Sequence, residues 1–202
     1  MTVNDVFLQP SFLEFIYRNA TKRDYFSGAL SANGYSYPKA LGKFLPHCLQ
    51  IAHSFMEILD LESYAIMDES QGTTAEGTMD LTKSVVDAYF SEMPRSIGFV
   101  NGYGPAHTFG RNNRSVFLSY DYYLDPGRSA QDAAEDLQFL AKLNSKRPYY
   151  IAIHVREFSD ITRVEQILNR LPKDDFQVQP LDWLFRAAAS NWTFTERYEP
   201  EN

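Results

Sequence analysis

A chain of 202 residues, 44% hydrophobic and 22% charged, is long enough to bury one sizeable core and lacks the compositional bias of a disordered protein. Its formal net charge of -7 and pI near 5.1 oppose binding to phosphate backbones and anionic lipid heads, so neither nucleic acid nor a membrane is an expected partner. Cys48 is the only cysteine, which excludes an intrachain disulfide and a thiolate zinc cluster. The opening MTVNDVFLQP is acidic and has no apolar targeting core, and no stretch approaches the roughly 20 apolar residues of a membrane helix. A native start at Met1 implies a cytosolic protein; an excised domain would leave any export signal in its parent.

In chain order, a helix is expected around Phe12 to Tyr17 and a first strand from Tyr25 to Leu30. Pro38 suits the first turn of a helix. From there Leu41, Phe44, Leu45, Cys48, Ala52, Phe55, Met56 and Leu59 recur at three- and four-residue steps, predicting one long helix with a buried face. A second strand is read from Tyr64 to Met67, then a helix carrying Leu81, Val85, Ala88 and Tyr89, and a third strand from Ile97 to Val100. Asn101 to Arg114, with three glycines, a proline and a histidine, reads as a long loop, and long loops in compact domains are often functional. The fourth strand is Val116 to Tyr120. After the turn Asp125-Pro126-Gly127, Ser129 and Asp132 have the spacing of a capping box at the start of a helix. A fifth strand from Tyr149 to Val155 precedes a helix with Val164, Ile167, Leu168 and Leu171. A sixth, Phe176 to Val178, leads through Pro180 into a last helix with Leu181, Leu184, Phe185 and Ala188.

Strands alternating with helices predict an α/β fold, a parallel β/α-barrel-like domain (TIM-type or partial barrel) of about six strand–helix units spanning residues 1–202. In such folds the carboxyl ends of the strands gather the chemistry. The residues expected there include Asn33, Asp68, Glu69, Asn101, Tyr103, His107, Asp121, His154, Arg156 and Glu157.

The segment Ala32 to Pro38 resembles the GxGYxYP motif at Gly34, Tyr35, Tyr37 and Pro38, with Ala32 in place of the first glycine, and His154 to Asp160 resembles a late strand of the same family. The resemblance implies a glycoside hydrolase of that family, with nearly the whole chain corresponding to its carboxyl-terminal domain and a preceding domain elsewhere in the protein. Glycosidic cleavage commonly uses two carboxyl groups, one a proton donor and one a nucleophile or base. Asp68, Glu157 and Asp121 are the candidate catalytic residues, and carbohydrate is the expected substrate. Asn33, Tyr35, Tyr37, Glu69, Asn101, Tyr103, His107, His154 and Arg156 are candidate contacts to it. Each of these also has a structural reading: a helix cap or ion pair for the carboxylates and Arg156, plain packing for the tyrosines and histidines.

Two alternatives differ in class. A non-catalytic carbohydrate-binding or scaffold domain would use the same cleft without chemistry. A metal-dependent polysaccharide deacetylase would need His107 or His154 at a metal, but no HxxxH or HExxH spacing occurs, and no metal or cofactor is expected. No GxSxG elbow is present either, which disfavours serine hydrolysis.

Overall fold

The computed structural model of the chain describes residues 5–68, 80–101, 106–111, 113–155, 159–191 and 196–201. They divide into two compact units: Met1–Ser119 with Pro180–Asn202, and Tyr120–Gln179.

In the first unit, α1 (Asp5–Leu8) and α2 (Pro10–Asn19) are followed by α3 (Pro38–Leu41), a short 3-10 turn at Gly42–Phe44, and α4 (Leu45–Ile58). The predicted long helix is therefore broken. Gly42 takes a positive φ of 50°, which an α-helix cannot propagate, and Pro46 lacks the N–H that a helix interior requires but is tolerated in the first turn of α4. The apolar spacing was right for α4 alone: Leu45, Leu49, Ala52 and Met56 are buried on one face. Each of its large side chains stabilises the fold by about 1.5–3 kcal/mol. They pack with Val85, Val86 and Tyr89 of α5 (Lys83–Glu92), which opens where Thr82 accepts the N–H of Val85.

A four-stranded sheet carries this core. β1 (Ser63–Ile66), β2 (Gly98–Asn101) and β4 (Arg114–Leu118) are parallel neighbours, and β3 (Phe109–Arg111) pairs antiparallel with β4 to give the order β1-β2-β4-β3. The predicted first strand contributes only a parallel bridge between Gly28 and Tyr64. α8 (Leu181–Asn191), with Phe185 and Ala188 buried, packs on β4.

The second unit holds β5 (Tyr122–Leu124) and β6 (Ile153–Val155), paired parallel in a two-stranded sheet, with α6 (Ala130–Leu143) and α7 (Ile161–Leu168). Its core is Leu124, Ala133, Ala134, Leu137, Ile167 and Leu171. The Ser129 cap is present: its Oγ accepts the N–H of Asp132 at 3.1 Å and donates to the Asp132 carboxylate at 2.8 Å, a side-chain contact in place of the backbone return bond of a full capping box. Asp160 caps α7 by accepting from Thr162 N at 2.9 Å.

The expectation of a parallel β/α barrel of six strand–helix units is overturned. Among the described residues there are two separate sheets, and the edge of β4 where another parallel strand would continue the first one is taken by antiparallel β3. β3 lies inside the segment read as a loop: three residues including Gly110 give little strand signal, and the residue before β4, Asn113, has a φ of 56°, a conformation asparagine tolerates. Phe176–Val178 is not a strand, and the fifth strand is confined to Ile153–Val155. Among the described residues no helix is long and apolar enough to cross a membrane.

Candidate functional site

At the carboxyl end of β1 the chain before the motif is locked down by buried polar contacts. Ser31 has a φ of 66°, donates its N–H to Ala65 O at 2.9 Å, and places its hydroxyl between Met67 O at 2.8 Å and Met67 N at 3.0 Å. Two buried tyrosines reach the same turn: the Tyr89 hydroxyl donates to Ser31 O and the Tyr64 hydroxyl to Ala32 O. Burial pushes both phenols well above their ordinary pKa, so they serve as hydrogen-bond donors. Ala32 is wholly buried beneath this turn, and Asn33 lies half-buried between the bridging residues Ser31 and Gly34.

Asp68, two residues past β1 and 1% exposed, accepts the backbone N–H of Lys39 at 2.6 Å. Lys39 is in the first turn of α3, whose N-cap is Tyr37, so Asp68 satisfies one of the orphan donors at a helix start from another part of the chain. The Lys39 side chain is itself buried and pairs with Glu199 at 2.6 Å. Glu199 in turn bridges to Thr82 at the start of α5. This grip leaves the Tyr35 ring 68% exposed, with its centroid 5.9 Å from that of half-buried Tyr37.

On the other side of the same sheet, the segment entering β3 is pinned to the end of β4. Ala106 N donates to Ser119 Oγ at 3.3 Å and Ser119 N to Thr108 Oγ1 at 3.0 Å. His107 lies between them, half exposed, with its ring and its backbone N–H both held by the buried carboxylate of Asp80. Asn101 ends β2 and is buried.

In the second unit Asp121 directly precedes β5. Its Oδ2 accepts Ala152 N at 2.9 Å and its Oδ1 the Tyr149 hydroxyl at 3.4 Å. The residue is exposed overall while its carboxyl end is crowded by the Tyr149–Ala152 stretch. That partial burial pushes its pKa up, against the two hydrogen bonds, which pull it down. Beside it on the strand pair, His154 stacks on Tyr123 with centroids 5.6 Å apart at 20°, and lies 5.4 Å from Tyr120. Tyr122 points elsewhere: its hydroxyl donates to Asp136 at 2.7 Å, where Arg128 also makes a two-pronged contact at 2.7 and 2.9 Å. Burial pushes that phenol up to about 12.

Against known proteins, the model described as "GxGYxYP putative glycoside hydrolase C-terminal domain" matches residues 1–189. The chain belongs to the GxGYxYP family. No curated protein matches it in sequence. Among solved structures it is similar to the crystal structure of "a putative hydrolase from Bacteroides thetaiotaomicron", with a TM-score of 0.71 and 16% identity over 95% of this chain. At that identity the likeness is one of fold. The chain spans 38% of the length of the Bacteroides protein.

Within this GxGYxYP chain the predicted residues fall into groups. Asp68, Asn33, Tyr35, Tyr37, Asn101 and His107 lie at the strand-end edge of the first unit; Asp121 and His154 belong to the second. Glu69, Tyr103, Arg156 and Glu157 lie outside the described residues. Sequence reasoning missed Asp80, Lys39, Glu199 and Tyr120. Lys39 had a signal, since it follows the motif proline, but a buried lysine is rare enough that periodicity would never suggest it. Among the described residues no group of three or more His, Cys, Asp or Glu side chains converges as metal ligands. A cavity of about 350 Å³ in the second unit, lined by Pro126, Ala130, Ser159, Asp160, Arg163 and Gln166, lacks the chemistry of a site. Its one cation, Arg163, is engaged with the carbonyls of Asp125, Pro126 and Arg128.

Proposed function

We propose that this domain binds carbohydrate and takes part in glycosidic bond hydrolysis, with Asp121 as the proton-donating carboxyl. One observation carries the reading: an exposed aspartate with a raised pKa lies beside a ring cluster of Tyr120, Tyr123 and His154. A glycosidase acid must hold its proton near neutrality, and partial burial moves a carboxyl in that direction. Flat rings with polar edges suit the apolar face of a sugar and the hydroxyls around it. Glu157, two residues past β6, is the partner carboxylate that completes the proposed pair. Asp68 takes a different part here: its buried carboxylate holds α3, and through it the Tyr35 and Tyr37 rings, so it acts as a positioning residue for a second sugar contact on the motif.

The test is turnover of a panel of aryl glycosides by the full chain and by Asp121→Asn, Glu157→Gln and Asp68→Asn. Loss of activity in the first two with an unchanged fold supports the reading. Full activity in Asp121→Asn overturns it. Sugar binding without turnover by the native chain would make the domain a carbohydrate-binding module, the reading that the exposed Tyr35 ring by itself favours.

A further inference from the structure

The Asp80–His107 pair of the first unit is not used by the function proposed above, and it differs from an ordinary surface ion pair. The Asp80 side chain is 4% exposed and that of His107 is 45% exposed. Asp80 Oδ1 accepts the His107 backbone N–H at 2.7 Å, and Oδ2 lies 2.7 Å from Nδ1 of the same residue. One carboxylate thus fixes both the main chain and the ring. The residues flanking His107 are pinned to Ser119 at the end of β4, so the imidazole stands on a rigid mount. By contrast His53 Nε2 lies 3.8 Å from Glu57 Oε1, one turn along the same helix α4.

An ionised carboxylate can only accept hydrogen bonds, which leaves the ring proton on Nδ1 and the lone pair on Nε2. The guanidinium of Arg197, 3.9 Å from Asp80 Oδ2, complements the charge of the carboxylate. An imidazole held in one tautomer by a buried carboxylate, with its edge open to solvent, is the arrangement that general-base catalysis needs.

We infer that Asp80 and His107 form a proton-transfer site in which His107 Nε2 takes the proton of a bound O–H donor, a sugar hydroxyl or a water molecule, and Asp80 is the positioning residue. In that step the O–H bond breaks as its electron pair forms a bond from the oxygen to an electrophilic acetal or acyl carbon of the substrate, whose departing oxygen keeps the electrons of the bond it loses. The Nε2–H bond forms, and the imidazolium rests against the Asp80 carboxylate. The inference does not depend on Asp121 being the acid.

The test reads the ring directly, with no substrate required. In long-range nitrogen–proton spectra of the full chain, with His107 assigned by loss of its signal in His107→Gln, the native ring should carry its proton on Nδ1. Asp80→Asn should move it to Nε2, because the amide NH2 donates to Nδ1. Diethyl pyrocarbonate, which acylates a bare imidazole nitrogen, should modify His107 first among the four histidines, and Asp80→Asn should abolish that preference. A native ring that averages between tautomers, carries its proton on Nε2, or reacts no faster than His47 overturns the inference. If Asp80→Asn fails to fold, the native spectrum and reaction order decide alone. Titration with methyl glucoside then separates the donors: a shift at Nε2 identifies a sugar hydroxyl, and a locked, reactive ring without a shift identifies water. Because these readings need no turnover, they stand or fall apart from the glycosidase proposal.

Discussion

Asp68 and Asp121 are both aspartates placed at strand ends, and a sequence pattern treats them alike. In the first unit the carboxylate is buried and committed to the backbone of α3. In the second it is exposed, bound at its edges by Ala152 and Tyr149, and its pKa is raised. A strand-end carboxylate is therefore a position and not a role. What separates the two is burial: both carboxyls accept from the protein's own donors, but only Asp121 keeps access to solvent.

The sharpest break of that comparison is kinetic. Asp121→Asn should lower kcat by about 100-fold or more, the usual scale of an acid–base group, while Asp68→Asn should change it little. Equal losses in a glycoside assay would erase the distinction. Next in size is stability: Asp68→Ala removes the partner of Lys39 N from a buried site and should cost about 1–3 kcal/mol in urea unfolding, whereas Asp121→Ala should cost less. Tyr64→Phe sharpens the same point. It leaves Ala32 O without its buried donor, with an expected loss of about 1–3 kcal/mol, and a neutral result would mean the turn relaxes without it. The smallest effect is in pH dependence. Because the folded pKa of Asp121 lies above its unfolded value, the native state binds the extra proton. Its contribution favours the fold below the ordinary carboxylate range and is lost as pH rises toward the raised value. The difference in unfolding free energy between native chain and Asp121→Asn, followed from acid to neutral pH, should show that slope. A slope of the opposite sign would mean the carboxyl is stabilised as the anion.

Helices were legible because burial repeats along them: the faces of α4 and α5 and the Ser129 cap can be read directly from residue spacing. Parallel pairing of β1 with β2 follows from the helix α5 between them, whereas β2 and β4 pair parallel across a connection that holds β3 and no helix among its described residues. Sheet closure was not legible, because it depends on which edge a later strand occupies, and β3 is three residues long with a glycine at its centre. The motif at Gly34 to Pro38 marked the family correctly, and the structure gives a physical reason for Pro38, which opens α3. Asp80 was invisible for the same reason that it matters. Its partner is 27 positions away, and neither residue belongs to a periodic face.

Gly98, at the start of β2, lies under the ring of Phe185 from α8: a Cβ there would come within 2.2 Å of the ring. Those two residues are separated along the chain by the whole of the second unit, Tyr120–Gln179. The first unit therefore cannot finish its core from one continuous stretch, and seating Phe185 requires closing a loop of that length. For a flexible segment the entropy of such a closure is about 4 kcal/mol, and it falls if the intervening residues collapse first. Synthesis order acts in the same direction, since the ribosome releases the second unit before α8 exists. The last helix thus serves as a latch for a domain made mostly before it, and truncation before Pro180 should leave β2 with an uncovered apolar groove and a chain prone to association.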